Sequence, residues 1–274
     1  MIWQYDYCAA QYIRGAGNRA KWTKLEWDRK RLEPQFLMSN LSFKRRPKAR
    51  HEFKVSVRRI SNATNERTIV AAIVIPAPCG DKASIVDPGT IACRLSVVLM
   101  LNSVAFDFMA RFRVPSTQVD YHVREELALL QRVRHFVQWP ILQSSSSLSL
   151  AGESFAGVWD ALLNEIPGVT SVQLPWRRLW ALTPHERLRL RCILDAVVAH
   201  LYGLDEDNFR WILRDCDHPL ELSINKAFTR ALDPKGFWRV DKTVEPELRH
   251  TVLAQVAFHD LKEKGQGNSR SARS

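Results

Sequence analysis

Residues Phe53, Val55 and Val57 alternate with Lys54, Ser56 and Arg58, the period-two pattern of a strand with one apolar face and one polar, cationic face. The next run, residues 68–75, is apolar on both faces and rich in β-branched side chains, which predicts a central strand ended by Pro76 and Pro78. Residues 61–67 between them have turn chemistry, so a hairpin is expected with Arg67 at its base. From about residue 90 to 113, Leu95, Val98, Leu99, Leu101, Ala105, Phe108 and Phe112 recur at helical spacing over more than one face. This predicts one long, largely buried helix, stopped by Pro115. Asn102, Asp107 and Arg111 interrupt it; they argue against a membrane span, and each must find a partner or reach the surface.

Beyond this helix the pattern turns helical throughout. Residues 143–150 are serine-rich and read as a linker or domain edge. Thr183, Pro184 and Glu186 form a capping box with proline at the first helical position, and Leu190, Ile193, Leu194, Val197 and Leu201 follow at steps of three and four. Gly203 ends that helix, and Asp205, Glu206 and Asp207 open another at its positive end. Glu245-Pro246 predicts the start of a last amphipathic helix, which gives way to a Gly/Ser/Arg tail at Gly265. The expectation is an α+β chain: a basic, strand-containing domain with a long buried helix over residues 1–142, a serine-rich linker and connecting region over 143–182, a helical region over 183–264 and a disordered tail over 265–274.

With 274 residues, 46% hydrophobic and 25% charged, the composition is that of an ordinary globular protein rather than a disordered or collagen-like one. Forty Lys and Arg against 29 Asp and Glu give a net charge of +11, so a polyanionic partner is the first to consider. The charge is uneven. Residues 1–140 hold 23 basic against 12 acidic side chains, and residues 141–274 hold 17 of each. Residues 14–67 alone hold 16 against 5, with Trp22, Trp27, Phe36, Phe43 and Phe53 interleaved. Such a segment suits phosphates and bases, although a solvated basic face over an aromatic core has the same composition. The cysteines, Cys8, Cys79, Cys93, Cys192 and Cys216, are odd in number and scattered, which predicts reduced thiols. No charged-then-apolar leader opens the chain, so a cytoplasmic protein without membrane association is expected.

The sequence carries few catalytic patterns. Gly15-Ala16-Gly17 is no phosphate-binding fingerprint, no Gly-x-Ser-x-Gly elbow occurs, and Cys216 with His218 lacks a second pair of zinc ligands. Asp28, Glu52 and Lys54 contain the residue types of a metal-dependent nuclease core, which keeps that reading as an alternative.

Four blocks resemble the C-terminal target-recognition region of adenine-specific DNA methyltransferases from type II and fused restriction-modification systems and related phage-defence methylases. They are residues 1–6; residues 53–75 with Arg58-Arg59-Ile60 and residues 64–68; residues 101–108 with Arg111, Val114 and Thr117; and residues 194–213 with the Tyr202-Gly203-Leu204 corner, followed by residues 237–241 and 248–253. Together they span nearly the whole chain. The sequence departs from the family pattern at Tyr7-Cys8, where a His-Arg pair is common, and at Glu126 and Ala128, where Gln and Pro are usual. The Asn-Pro-Pro-Tyr/Phe motif and the S-adenosylmethionine loop of that family do not occur here. The resemblance therefore implies a specificity portion from a split or truncated gene that binds double-stranded DNA, has no catalytic residues, metal or cofactor of its own, and acts with a separate catalytic chain that holds S-adenosylmethionine. Lys44, Arg45, Arg46, Lys48 and Lys54 are expected to contact phosphates, and Arg58, Arg59, Arg67, Arg111, Thr117 and Gln118 are the remaining candidate DNA contacts. An inert remnant is the third alternative.

Overall fold

The computed structural model describes residues 1–33, 36–45, 52–115, 117–130, 139–165 and 175–271. The chain is mixed α+β, about 50% helical and 11% strand, with two small antiparallel sheets. It divides into two compact units between which the chain passes repeatedly: Met1–Arg59, Val70–Asn102 and Gln131–Leu182 form the first, and Ile60–Ile69, Ser103–Leu130 and Thr183–Ser274 the second.

The first unit contains strands β1 (Ala10–Arg14), β2 (Lys21–Lys24), β3 (Lys54–Arg58), β4 (Ala71–Val74) and β5 (Ala83–Val86), and helices α1 (Asn40–Lys44), α2 (Ile91–Asn102), α5 (Trp139–Ser149) and α6 (Ala156–Glu165), numbered along the chain. β1 pairs with β2, and β4-β3-β5 form the second sheet. The expected β3–β4 hairpin is present, but β3 is the central strand and β4 lies at the edge. β4 is nevertheless fully buried. At Ala71 that edge is satisfied by the amide of Asn102, which accepts from Ala71 N and donates to Ala71 O, both at 2.9 Å, and by Tyr5 N, which donates to the same carbonyl. An unpaired, buried strand edge would otherwise leave costly backbone groups.

The apolar run splits at Ser103 into two helices, where one was expected. Ser103 Oγ accepts from Phe106 N and caps α3 (Val104–Arg113) of the second unit, because a serine hydroxyl competes well for the free N–H groups of a helix start. The serine-rich stretch is no linker: it lies in α5, with Ser145 and Ser146 fully buried. Ser145 Oγ donates to Leu95 O of α2, and Ser146 Oγ turns back to Leu142 O. Small side chains that satisfy their own hydroxyls let α5 pack on α2.

The second unit comprises α3, α4 (Tyr121–Glu125), α7 (Pro184–Leu201), α8 (Glu206–Ile212), α9 (Leu220–Ile224), α10 (Lys226–Thr229) and α11 (His250–Ser271). The capping box acts as expected, Thr183 Oγ1 accepting from Glu186 N, and Asp205 caps α8. α11 begins at His250 after a short 3-10 turn and continues to Ser271, past the point where a disordered tail was expected. α7 packs on α11 through Ala196, Ala199, Ala254 and Phe258, all buried.

A buried ion pair ties this unit together. Arg111, without exposed surface, contacts Asp107 Oδ2 at 3.1 Å, one helical turn back. Its remaining N–H groups donate to the carbonyls of Asn65, Glu66, Lys235 and Gly236 at 2.7–2.9 Å, and its guanidinium lies 3.8 Å from the centre of the Phe237 ring. Asp107 Oδ1 accepts from Thr68 N and Ile69 N. One charge pair thus holds residues 65–69 and 235–237 on α3. Removing one member leaves the other charge buried and unmatched, so Arg111→Met is expected to cost about 3–5 kcal/mol. Urea unfolding measures this loss, and a change below about 1 kcal/mol would contradict the arrangement.

Candidate nucleic-acid interface

The cations expected to meet DNA fall into three groups. Lys44 and Arg45, at the end of α1, are exposed; Arg46 and Lys48 lie outside the described residues. Lys54, Arg67 and Arg111, also expected as DNA contacts, are buried and not on the exposed surface. On the central strand β3, Lys54 projects into the protein and its Nζ donates to Ala77 O at 2.8 Å. Arg58 and Arg59 are half-buried: the Arg58 guanidinium lies over Trp3 at 4.9 Å, and Arg59 Nη1 contacts Asp81 Oδ1 at 2.6 Å. In the second unit, Thr117 and Gln118 are drawn to the loop after β3, where Ile60 bridges Gln118 and Ser61 N donates to Thr117 O. Thr117 is exposed and Gln118 half-buried.

The nuclease alternative finds no gathered site. Glu52 engages Arg94 at 3.2 Å, Lys54 is buried on Ala77 O, and Asp28 is an exposed neighbour of Arg29. No cluster of three or more His, Cys, Asp or Glu able to hold a metal occurs among the described residues. Burial pushes the Cys216 thiol up to about 12, so it is not a ready thiolate ligand at neutral pH.

What the sequence reading missed is the β1–β2 hairpin of the first unit. Tyr12 stands opposite Trp22, with their rings in edge contact at 5.6 Å. A bulge at Ile13 then sets Arg14 opposite Lys21. Alternation along the strands puts Arg14 and Lys21 on the face of Gln11 and Thr23, and Tyr12, Trp22 and Lys24 on the other. The turn requires Gly15, at φ +90°, because a Cβ there would strike the Arg19 carbonyl; Tyr12 Oη donates to Gly15 O. Tyr-Ile-Arg and Lys-Trp-Thr-Lys on either side of a Gly-Ala-Gly turn are the signal in the sequence.

Like charges set directly across a strand pair are destabilising, yet Arg14 and Lys21 are both exposed and neither forms an ion pair among the described residues. The same holds for Arg19, Arg31, Lys44 and Arg45. Among the described residues, Lys24 and Arg29 have loose, exposed carboxylate neighbours at 3.8 and 3.9 Å. Lys30 differs, since its side chain is buried against Asp6 at 2.5 Å and lies over Trp27; it holds the segment that follows the hairpin to the chain start.

Arg67 has a structural task in the second unit. Its Nη2 lies 3.1 Å from His250 Nδ1, and His250 Nε2 lies 2.7 Å from Asp195 Oδ2. Arginine can only donate, so Nδ1 must accept and the imidazole is neutral with its proton on Nε2. Asp195 Oδ1 also accepts from Val104 N at the start of α3. This Asp-His pair is buried, and the nearby Cys192 Sγ donates to His250 O, its thiol pushed up to about 12, chiefly by burial.

Burial also holds His250 below the ordinary imidazole value of 6.5. Below that pH the unfolded chain takes up a proton that the folded chain refuses, so the contribution to stability is complete above about 6.5 and declines as pH falls through it. The urea midpoint is therefore expected to drop between about pH 7.5 and 5.5, and His250→Asn to flatten that slope. An unchanged slope would contradict the neutral, buried assignment. Comparison with known proteins finds no matching family model, curated protein or solved structure.

Proposed function

We propose that this chain is the duplex-binding, target-recognition portion of a restriction-modification adenine-specific DNA methyltransferase, with methyl transfer and S-adenosylmethionine belonging to a separate catalytic chain. The observation that carries the binding half of this reading is the Arg14–Lys21 pair: two cations held opposite each other on an exposed ribbon, without a carboxylate partner among the described residues. Phosphates would relieve their repulsion and release condensed counterions. A two-stranded ribbon has dimensions that the major groove admits, and Arg19, Arg31, Lys44 and Arg45 add exposed positive charge in the same unit. The methyltransferase half rests on the sequence resemblance.

The contact set changes accordingly. Lys54, Arg67 and Arg111 leave it because they are buried. Arg59 remains a candidate for base or phosphate contact, since its partner Asp81 is well exposed and an ion pair at such a surface is worth about 0–1 kcal/mol, little enough to exchange for a phosphate. Arg58, Thr117 and Gln118 also stay as candidates for recognition.

Fluorescence polarisation with a labelled duplex tests the reading. Affinity should fall linearly on a logarithmic salt scale, and the Arg14→Ala/Lys21→Ala variant should bind at least about tenfold more weakly, with a salt slope reduced by about 1.8. Salt-independent binding, or a variant with unchanged affinity and slope, would overturn it.

A further inference from the structure

We propose that a cleft in the second unit, formed by Lys226, Thr229, Arg230, Trp238 and Arg239 together with Leu232 and Pro234, binds the phosphate ester of a nucleotide. The cleft has a volume of about 290 Å³, and no carboxylate is among the residues that form it. This is a local excess of positive charge in a half of the sequence whose charges balance overall, with 17 basic and 17 acidic residues over 141–274.

The three cations are left uncompensated in different ways. Lys226 and Arg230 are exposed and stand four residues apart, at opposite ends of the short helix α10 and its cap, a spacing at which like charges repel. Neither has an ion pair among the described residues. Arg239 is fixed: Nη1 donates to Pro234 O at 2.8 Å, and the guanidinium stacks 4.0 Å from the Trp238 ring. Burial, and next the positive charge of Arg111, press its pKa below the ordinary arginine value. Asp233, whose charge acts on Arg239, is already engaged by Arg214 at 2.6 Å and by Lys235 N.

The walls select the kind of anion. Trp238 is buried, with Nε1 donating to Asp233 O, and Gly236 allows the indole's close approach, since a Cβ there would lie 3.0 Å from its Cδ1. Leu232 and Pro234 add apolar surface, and the Thr229 hydroxyl already donates to Asn225 O. Three donors of positive charge beside an apolar wall suit a phosphate that carries an organic group better than a bare inorganic ion, because a guanidinium pairs with phosphate oxygens through two parallel N–H groups while the organic part covers the indole edge.

The phosphate could belong to a free nucleotide or to a strand backbone, and the experiment separates the two. The Trp238 indole N–H resonance, assigned with Trp238→Phe, is followed by ¹H–¹⁵N NMR while full-length protein is titrated with inorganic phosphate, deoxyadenosine monophosphate or a short duplex. The mononucleotide should shift this resonance saturably and more tightly than inorganic phosphate, and Lys226→Ala/Arg230→Ala, both at exposed positions, should weaken binding at least about tenfold. A duplex that produces the same shift, lost in that variant, assigns the phosphate to a strand backbone; a response to mononucleotide alone assigns it to a free nucleotide. The absence of a saturable shift with every probe, or equal affinity in wild type and variant, overturns the proposal. The site does not rest on the duplex reading: Arg14→Ala/Lys21→Ala should leave the mononucleotide titration unchanged, so either proposal can fail alone.

Discussion

The cost of burying charge without a matched partner governs this protein more than its content of charge does. Arg111 and Asp107 meet that cost together. Asp107 gives one carboxylate oxygen to the guanidinium and the other to two backbone N–H groups, while Arg111 gives the rest of its donors to four carbonyls. Six backbone groups from two distant stretches of chain are thereby satisfied by one i, i+4 pair. The Arg67–His250–Asp195 chain repeats the principle in the same unit, with a neutral imidazole between a donor-only arginine and a carboxylate. Both assemblies consume arginines that composition alone would assign to an external anion.

This constraint also explains which parts of the architecture were readable from residues. The capping box at Thr183, the β3–β4 hairpin and the buried character of α2 follow from local rules of capping and periodicity. Asn102, Asp107 and Arg111 were legible as residues in need of partners, but the partners, Ala71, Thr68, Ile69 and Lys235 among them, lie 31 to 124 positions away or on the far side of a turn and have no sequence signature. The break at Ser103 and the burial of Ser145 and Ser146 had the opposite cause. Ser103 breaks the run by accepting from Phe106 N as a helix cap, whereas Ser145 and Ser146, inside a packed helix, return their hydroxyls to carbonyls and their small volume favours close packing.

The exposed basic surface was legible as a region and not as residues. The excess charge of residues 14–67 was visible in counting, yet counting weighs Lys54 and Arg67 equally with Arg14 and Lys21. Strand alternation gave Lys54 a solvent face because it assumed a sheet covered on one side, whereas β3 is central and buried on both. The hairpin residues lack that protection. Their charges stay at the surface because β2 is exposed throughout and β1 is exposed at its end, and neither Arg14 nor Lys21 has an ion pair among the described residues.

The cations divide into a buried set that holds the fold and an exposed N-terminal set that we propose meets DNA. Arginine-selective chemical modification, read by mass spectrometry with and without duplex, tests both halves at once. Arg14, Arg19 and Arg31 should react in the free protein and be protected by duplex, while Arg67 and Arg111 stay unreactive in either state. Reaction at Arg67 or Arg111 in the folded protein, or Arg14 labelled equally with and without saturating duplex, would contradict it.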